Sequence, residues 1–161
     1  MRAAEAADLP AIAAIYNDLV RTSTVTFDTE PWTEARAEEW LREHAHPQAA
    51  LVAERGGRID GWASLSPFGR RPAYRHTAED SVYVRDGARG DGVGRGLLAQ
   101  LLTVAAANGF HTVIARIALP NDASVALHER LGFRRVGLER EVGYKFERRL
   151  DVMVMQAMVD G

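Results

Sequence analysis

The chain has 161 residues, 47% of them apolar and 26% charged, which suits one folded domain and excludes a disordered one. Its 20 Lys and Arg against 22 Asp and Glu leave a net charge of −2, without the basic excess that phosphate-driven binding of nucleic acid requires. It contains no cysteine, so disulfides and a thiolate nucleophile are excluded, and no run resembles a membrane span or the core of a signal peptide, which points to the cytoplasm.

In chain order, Arg2–Ala4 reads as a short edge strand. Asp8 reads as a helix N-cap with Pro10 in the first turn, and Ile12, Ile15 and Leu19 recur on one helical face. A polar loop over Arg21–Pro31 carries Phe27. Thr33 caps a second predicted helix, with Trp40 and Leu41 inward and its end near His44. The period then changes. Ala50–Glu54 and Ile59–Leu65 flank the turn signal Gly56-Gly57 and predict a hairpin. Ser66–Arg75 is rich in Pro, Gly and Arg and reads as a loop, and Thr77–Val84 as a strand. A glycine-rich loop follows, then a helix with Val93, Leu97, Leu98, Leu101 and Leu102 inward, closed by Asn108-Gly109. Thr112–Ala118 is a β-branched strand and Asn121–Leu131 a short helix stopped by Gly132. Arg134–Val142 and Val152–Met158 complete the pattern as strands. The order predicts one α/β (α+β) domain over residues 1–161, with helices on both faces of a sheet.

The segment from Arg89 to Gly96 carries the sharpest signal. Glycines alternate at positions 90, 92, 94 and 96, between a strand and an amphipathic helix. Glycine lets backbone approach a ligand closely, and free N–H groups at a helix start favour an anion. Arg89 and Arg95 add guanidinium donors suited to phosphate. The segment is not a Rossmann fingerprint: counted from Gly90 the last glycine position is Arg95, and counted from Gly92 it is Leu97. The P-loop ending in Lys-Ser/Thr is also missing. The loop therefore predicts a pyrophosphate site of another kind.

These residues resemble a known family. Arg89-x-x-Gly92-x-Gly94 after Ser81-Val82-Tyr83-Val84 is similar to the cofactor loop of GNAT-type N-acetyltransferases. Asn121-x-x-Ser124-x-x-Leu127-His128-x-x-Leu131-Gly132-Phe133 resembles their second signature. Pro72–Glu79, and Gly143-Tyr144-Lys145-Phe146 before Asp151-Val152, narrow the likeness to the phosphinothricin and methionine sulfoximine acetyltransferases. Asp80 departs from it where many relatives have histidine, and Arg149 where an aromatic residue is common.

The resemblance implies a mixed, mostly antiparallel sheet of about seven strands flanked by about four helices. It implies acetyl-CoA as co-substrate and a small amine as the other substrate, within a homodimer; the sequence has no His-Glu-x-x-His or Cys/His spacing, which predicts no metal. Acetyl-CoA would be held by Val82, Val84, Arg89, Gly90, Gly92, Val93, Gly94, Arg95, Asn121 and Ser124. Acceptor contacts would come from Phe27, Phe68, Arg71, Tyr74, Arg75, Thr77 and Tyr83.

An ammonium has no lone pair, so transfer to an amine needs a base. Glu79 is the candidate: alternation puts it on one strand face with Ser81 and Tyr83, and the family assigns it that role. The plainer reading is an exposed strand carboxylate paired with a nearby arginine. His128 stands where most of the superfamily has a tyrosine acid, and matches the subfamily's histidine. A lone helix histidine is as readily a packing residue. Asn121 reads both as an N-cap and as a guide for the pantetheine arm. Arg71 and Arg75 offer forks for a substrate carboxylate or phosphinate, or are solvated loop charges. Three functions stay open: an N-acetyltransferase of phosphinothricin-like, methionine sulfoximine or methionine sulfone amino acids with a detoxifying task; the same chemistry on a protein N-terminus, polyamine or antibiotic; or a non-catalytic acetyl-CoA-binding module.

Overall fold

The computed structural model describes residues 1–159. Its strands are β1 (Arg2–Ala3), β2 (Ala49–Arg55), β3 (Arg58–Pro67), β4 (Thr77–Val84), β5 (Thr112–Ala118), β6 (Arg134–Lys145) and β7 (Arg148–Met158). They form one seven-stranded sheet in the order β1-β2-β3-β4-β5-β7-β6. Every pairing is antiparallel except β4 with β5. Four helices flank it among the described residues: α1 (Leu9–Thr22), α2 (Glu34–Glu43), α3 (Val93–Ala107) and α4 (Asp122–Arg130).

Two cores follow from the alternation of side chains along the strands. Leu97, Leu98, Leu101 and Ala105 of α3 are fully buried against Ala63, Leu65, Ala78, Val113 and Met155 on one face of the sheet. Each leucine so buried contributes roughly 1.5–3 kcal/mol. On the other face, Ile12, Ile15, Tyr16 and Leu19 of α1 and Trp40 of α2 pack on Val52, Ile59 and Trp62. Along β4, Ala78 and Val82 thus point toward α3, and Tyr83 points toward α1.

Thr33 caps α2, its hydroxyl accepting from the Arg36 N–H at 3.2 Å. His44 is buried at that helix's end, with Nδ1 2.6 Å from the Trp40 carbonyl oxygen. Asp8 behaves differently from its sequence reading. Its side chain does not cap α1; it accepts from both Arg2 Nη atoms at 2.7 and 2.8 Å and from the Glu5 N–H at 2.9 Å. A guanidinium fork outcompetes a neutral amide for a buried carboxylate. The Arg2 hydrogen bonds hold the Asp8 pKa below the ordinary range, against its burial.

The last two strands are longer than the sequence pattern suggests. They join at Phe146-Glu147, both with positive φ, 50° and 59°. Two consecutive left-handed residues make the tight hairpin turn usually signalled by Asn-Gly. Here neither residue announces it. The loop expected over Ser66–Arg75 also contains the end of β3 and a short 3-10 turn at Pro72–Tyr74.

Gly61 marks where β3 lets β4 approach. A Cβ there would lie 2.8 Å from the Tyr83 carbonyl oxygen and 3.2 Å from Leu97 and Val93. The strand backbone cannot yield as a side-chain tip would. Gly61→Ala is expected to destabilise the fold by about 1–3 kcal/mol. A thermal melt checks this; an unchanged Tm would contradict the packing described.

Candidate active site

β4 and β5 run in parallel register only from Thr77↔Thr112 to Glu79↔Ile114. Beyond Glu79 they separate, while β4 continues to pair with β3 as far as Gly61↔Val84. One edge of β4 therefore loses its partner strand halfway along, leaving main-chain N–H and C=O groups that need another partner. A cavity of about 600 Å³ opens at this split.

The split is roofed by the glycine loop and α3. Gly92 is the N-cap of α3 with φ +80°, and Gly90 has φ +87°. A Cβ built on either would meet nothing within 4 Å, so the left-handed backbone rather than crowding demands glycine. The first helical bond recorded at this end runs from the Gly96 N–H to the Gly92 carbonyl at 2.9 Å. Amides of the first turn thus have no partner within the helix. Beneath the loop, the buried Asp60 accepts from Arg58 Nε at 2.8 Å and Arg55 Nε at 3.0 Å, and its carbonyl accepts from the Arg85 N–H at 2.9 Å. Arg55 also reaches Asp91 at 3.2 Å, which fastens the loop to β2. Arg89 pairs with Asp86 at 3.0 Å.

All ten residues expected to hold acetyl-CoA line this cavity, from Val82 and Val84 through the loop residues Arg89, Gly90 and Gly92 to Arg95, Asn121 and Ser124, and Tyr83 joins them. Asn121 is also the N-cap of α4, accepting from the Ser124 N–H at 3.2 Å. The geometry suits a dinucleotide-like co-substrate: an anion seat at a helix start, and a free strand edge for amide groups. Gly94 faces Val84 and Leu127, each 3.4 Å from a Cβ built there, so the slot between helix and strand is narrow.

Glu79 does not line the cavity. It sits half-buried at the foot of the split, on the sheet face of Tyr83. Burial raises its pKa; Arg116 opposes this, and the charges of Asp80 and Glu139 add to it. Arg116, which does line the cavity, is hydrogen-bonded to Glu139. His128 lines the cavity and is buried, as is its partner Asp80 at 3.0 Å. Sequence reading noted Asp80 only as a departure from relatives. The signal that places it was the strand's own alternation, which sets residue 80 with 78 and 82 toward the helices that shape the cavity.

The expected acceptor residues are less gathered. Phe68 and Tyr74 stack edge-to-face at 5.2 Å, in the exposed segment that also carries Arg71 and Arg75 and leads into half-buried Thr77. None of these five lines the cavity. Nor does Phe27, whose ring covers Gly143, where a Cβ would fall 2.4 Å from it. The loop bearing Phe27 is pinned by Tyr16, whose hydroxyl is 2.6 Å from Thr26 Oγ1, and by buried Lys145, which donates to the Thr26 carbonyl at 2.8 Å. Burial lowers the Lys145 pKa, with the Asp28 charge opposing. Arg149 lies across from Tyr144 in the terminal hairpin, 5.9 Å over its ring, rather than at the cavity.

Comparison with known proteins agrees with this geometry. Residues 12–133 match the model of the Acetyltransferase (GNAT) family. The chain is 44% identical to a phosphinothricin N-acetyltransferase of Streptomyces coelicolor over 149 residues, 90% of this chain and 87% of that protein. It is 40% identical over 162 residues to an L-methionine sulfoximine/L-methionine sulfone acetyltransferase of Pseudomonas paraeruginosa, covering 99% and 94% of the two chains. The crystal structure of a phosphinothricin acetyltransferase from Sinorhizobium meliloti in complex with acetyl-CoA superposes with a TM-score of 0.94 at 37% identity, over 99% of this chain and 87% of that one. With the split strands, the glycine-capped helix and these relatives together, the chain belongs to the GNAT family and is an acetyl-CoA-dependent N-acetyltransferase.

Proposed function

We propose that the acceptor is the α-amino group of a small amino-acid-like compound, phosphinothricin, methionine sulfoximine or methionine sulfone, and that transfer is direct within a ternary complex. The observation that carries this reading is the split between β4 and β5, with a carboxylate at its foot and a buried imidazole on its wall. The names of the relatives supply the substrate class. Glu79 takes the proton of the incoming ammonium, directly or through water. A main-chain N–H near Val84, on the edge of β4 without a strand partner, stabilises the oxygen that becomes negative. His128 protonates the departing thiolate. Arg71 and Arg75, exposed beside the entry to β4, recognise the acceptor's carboxylate. Thr77, Tyr83, Phe27, Phe68 and Tyr74 shape the acceptor's surroundings. The same reading takes residues 1–161 as one catalytic domain that needs no metal and detoxifies amino-acid analogues in the cytoplasm. Among the described residues no helix is long and apolar enough to cross a membrane. Exposed Val136, Leu138 and Val142 on edge strand β6 favour a homodimer.

The test is a panel of amines supplied with acetyl-CoA and followed by thiol release. It sets the three amino-acid analogues against an N-terminal peptide and a polyamine. The expected result is turnover of the amino-acid analogues, with Arg71→Ala and Arg75→Ala raising their KM by about 10–100-fold, the worth of a lost charge-assisted hydrogen bond. Turnover confined to the peptide or the polyamine would overturn the acceptor assignment.

A further inference from the structure

His128 has both ring nitrogens engaged. Nδ1 lies 2.7 Å from the Ser124 carbonyl oxygen and Nε2 3.0 Å from Asp80 Oδ2. A carbonyl only accepts, so Nδ1 carries a hydrogen. A carboxylate also accepts, so the second contact requires a further proton, on Nε2 or on the carboxyl itself. The two side chains are only 4% and 1% exposed, and the Phe133 ring closes over the imidazole at 4.9 Å. Asp80 Oδ1 is buried with no hydrogen-bond partner among the described residues. A carboxylate placed only to tie α4 to β4 would have both oxygens satisfied. This one spends a single oxygen on the ring and leaves the other unmatched beside the cavity.

We infer that Asp80 is a positioning residue for acetyl transfer: its carboxylate orients the His128 ring and holds a second proton, on Nε2, for the departing thiolate. The inference rests on the reading of His128 as the acid. As the C–S bond breaks, its electron pair goes to sulfur, and the Nε2 proton moves there to give the thiol. Asp80 stays ionised beside a neutral ring whose Nδ1–H remains on Ser124. Glu79 passes the proton of the incoming ammonium on to solvent; the second proton, lost as the amide forms, then goes to Glu79 and returns to the pair through solvent, so one proton is released in all. Amine and thioester become amide and thiol, and nothing is oxidised or reduced.

Burial disfavours a charged ring, but the Asp80 hydrogen bond and charge, with the Ser124 carbonyl, hold the His128 pKa above its ordinary value. The cavity also carries Arg89 of the loop, Arg95 of α3, Arg116 of β5 and Arg130 of α4 itself. They favour neutrality of the ring, so a proton retained on Nε2 is owed to Asp80.

The experiment is an NMR titration of the His128 imidazole in the unliganded wild-type protein and in Asp80→Asn, with kcat followed against pH in both. The wild-type ring is expected to titrate above the ~6.5 of a free imidazole. In Asp80→Asn the midpoint falls by about one pH unit or more, and the alkaline limb of kcat moves down with it. Its kcat drops about tenfold or more while KM for acetyl-CoA stays within about twofold, and Asp80→Glu recovers part of the loss. A wild-type midpoint at or below the free value overturns the inference, and decides the matter even if the variants fail to fold. So does an Asp80→Asn protein with unmoved midpoint and alkaline limb, whatever its kcat. The titration needs neither substrate, so failure to acetylate amino-acid analogues sinks the acceptor assignment and leaves this result standing.

Discussion

Gly92→Val is expected to raise the Kd for coenzyme A by about 100-fold or more. Gly92 caps α3 with φ +80°, in the left-handed region that a β-branched residue resists. Open space surrounds the site of its missing Cβ, so the variant suffers no clash with protein and the fold survives. Valine relieves its strain, about 1–2 kcal/mol, by turning the loop toward ordinary φ. That rotation reorients the first-turn amides of α3, which have no partner within the helix. Two lost hydrogen bonds to an anion at about 1.5–3 kcal/mol each account for the expected change in Kd. Calorimetry with coenzyme A reads the effect, and a melt confirms folding. A folded Gly92→Val protein that binds coenzyme A as the wild type does would remove the physical basis for the site.

Glu79→Gln is expected to lower kcat by about 10²–10⁴-fold, the range of a positioned general base. Burial raises the Glu79 pKa, with Asp80 and Glu139 adding to it and Arg116 opposing. The wild-type rate should therefore climb with pH as this carboxylate ionises, and the variant should lack that acid limb. Stability runs the other way. A carboxyl whose folded pKa lies above its unfolded value, near ~4.3, favours the folded state below that value, and the contribution is lost as pH rises through the folded pKa. At neutral pH, Glu79→Gln should thus be at least as stable as the wild type while turning over far more slowly. Steady-state rates against pH, paired with melts at pH 4 and pH 7.5, separate the two effects. Wild-type kcat in the variant would move the base away from Glu79.

The loop was legible because its requirement is local. A left-handed turn before a helix needs glycine at fixed spacing, and that spacing is written in residues 90–94. The helices were legible for the same reason. Thr33 and Asn121 cap their own helices, and the apolar rows of α1 and α3 repeat at helical period. The ends of β6 and β7 were not, because Phe146 and Glu147 turn the chain without the residues that normally mark such a turn. Asp8 misled because a short edge strand brought Arg2 to it, and a charged partner displaced the local cap.

Periodicity, turn chemistry and the spacing of glycines determined the elements and the left-handed loop before α3, since each depends on neighbours within a few residues. Only the tertiary structure decided where β4 parts from β5, and that Asp80 meets His128 from 48 residues away. Those facts depend on which strand lies beside which, and on how far their register persists. Such pairings are set by packing of the whole sheet between its helices, and no local window of residues carries them.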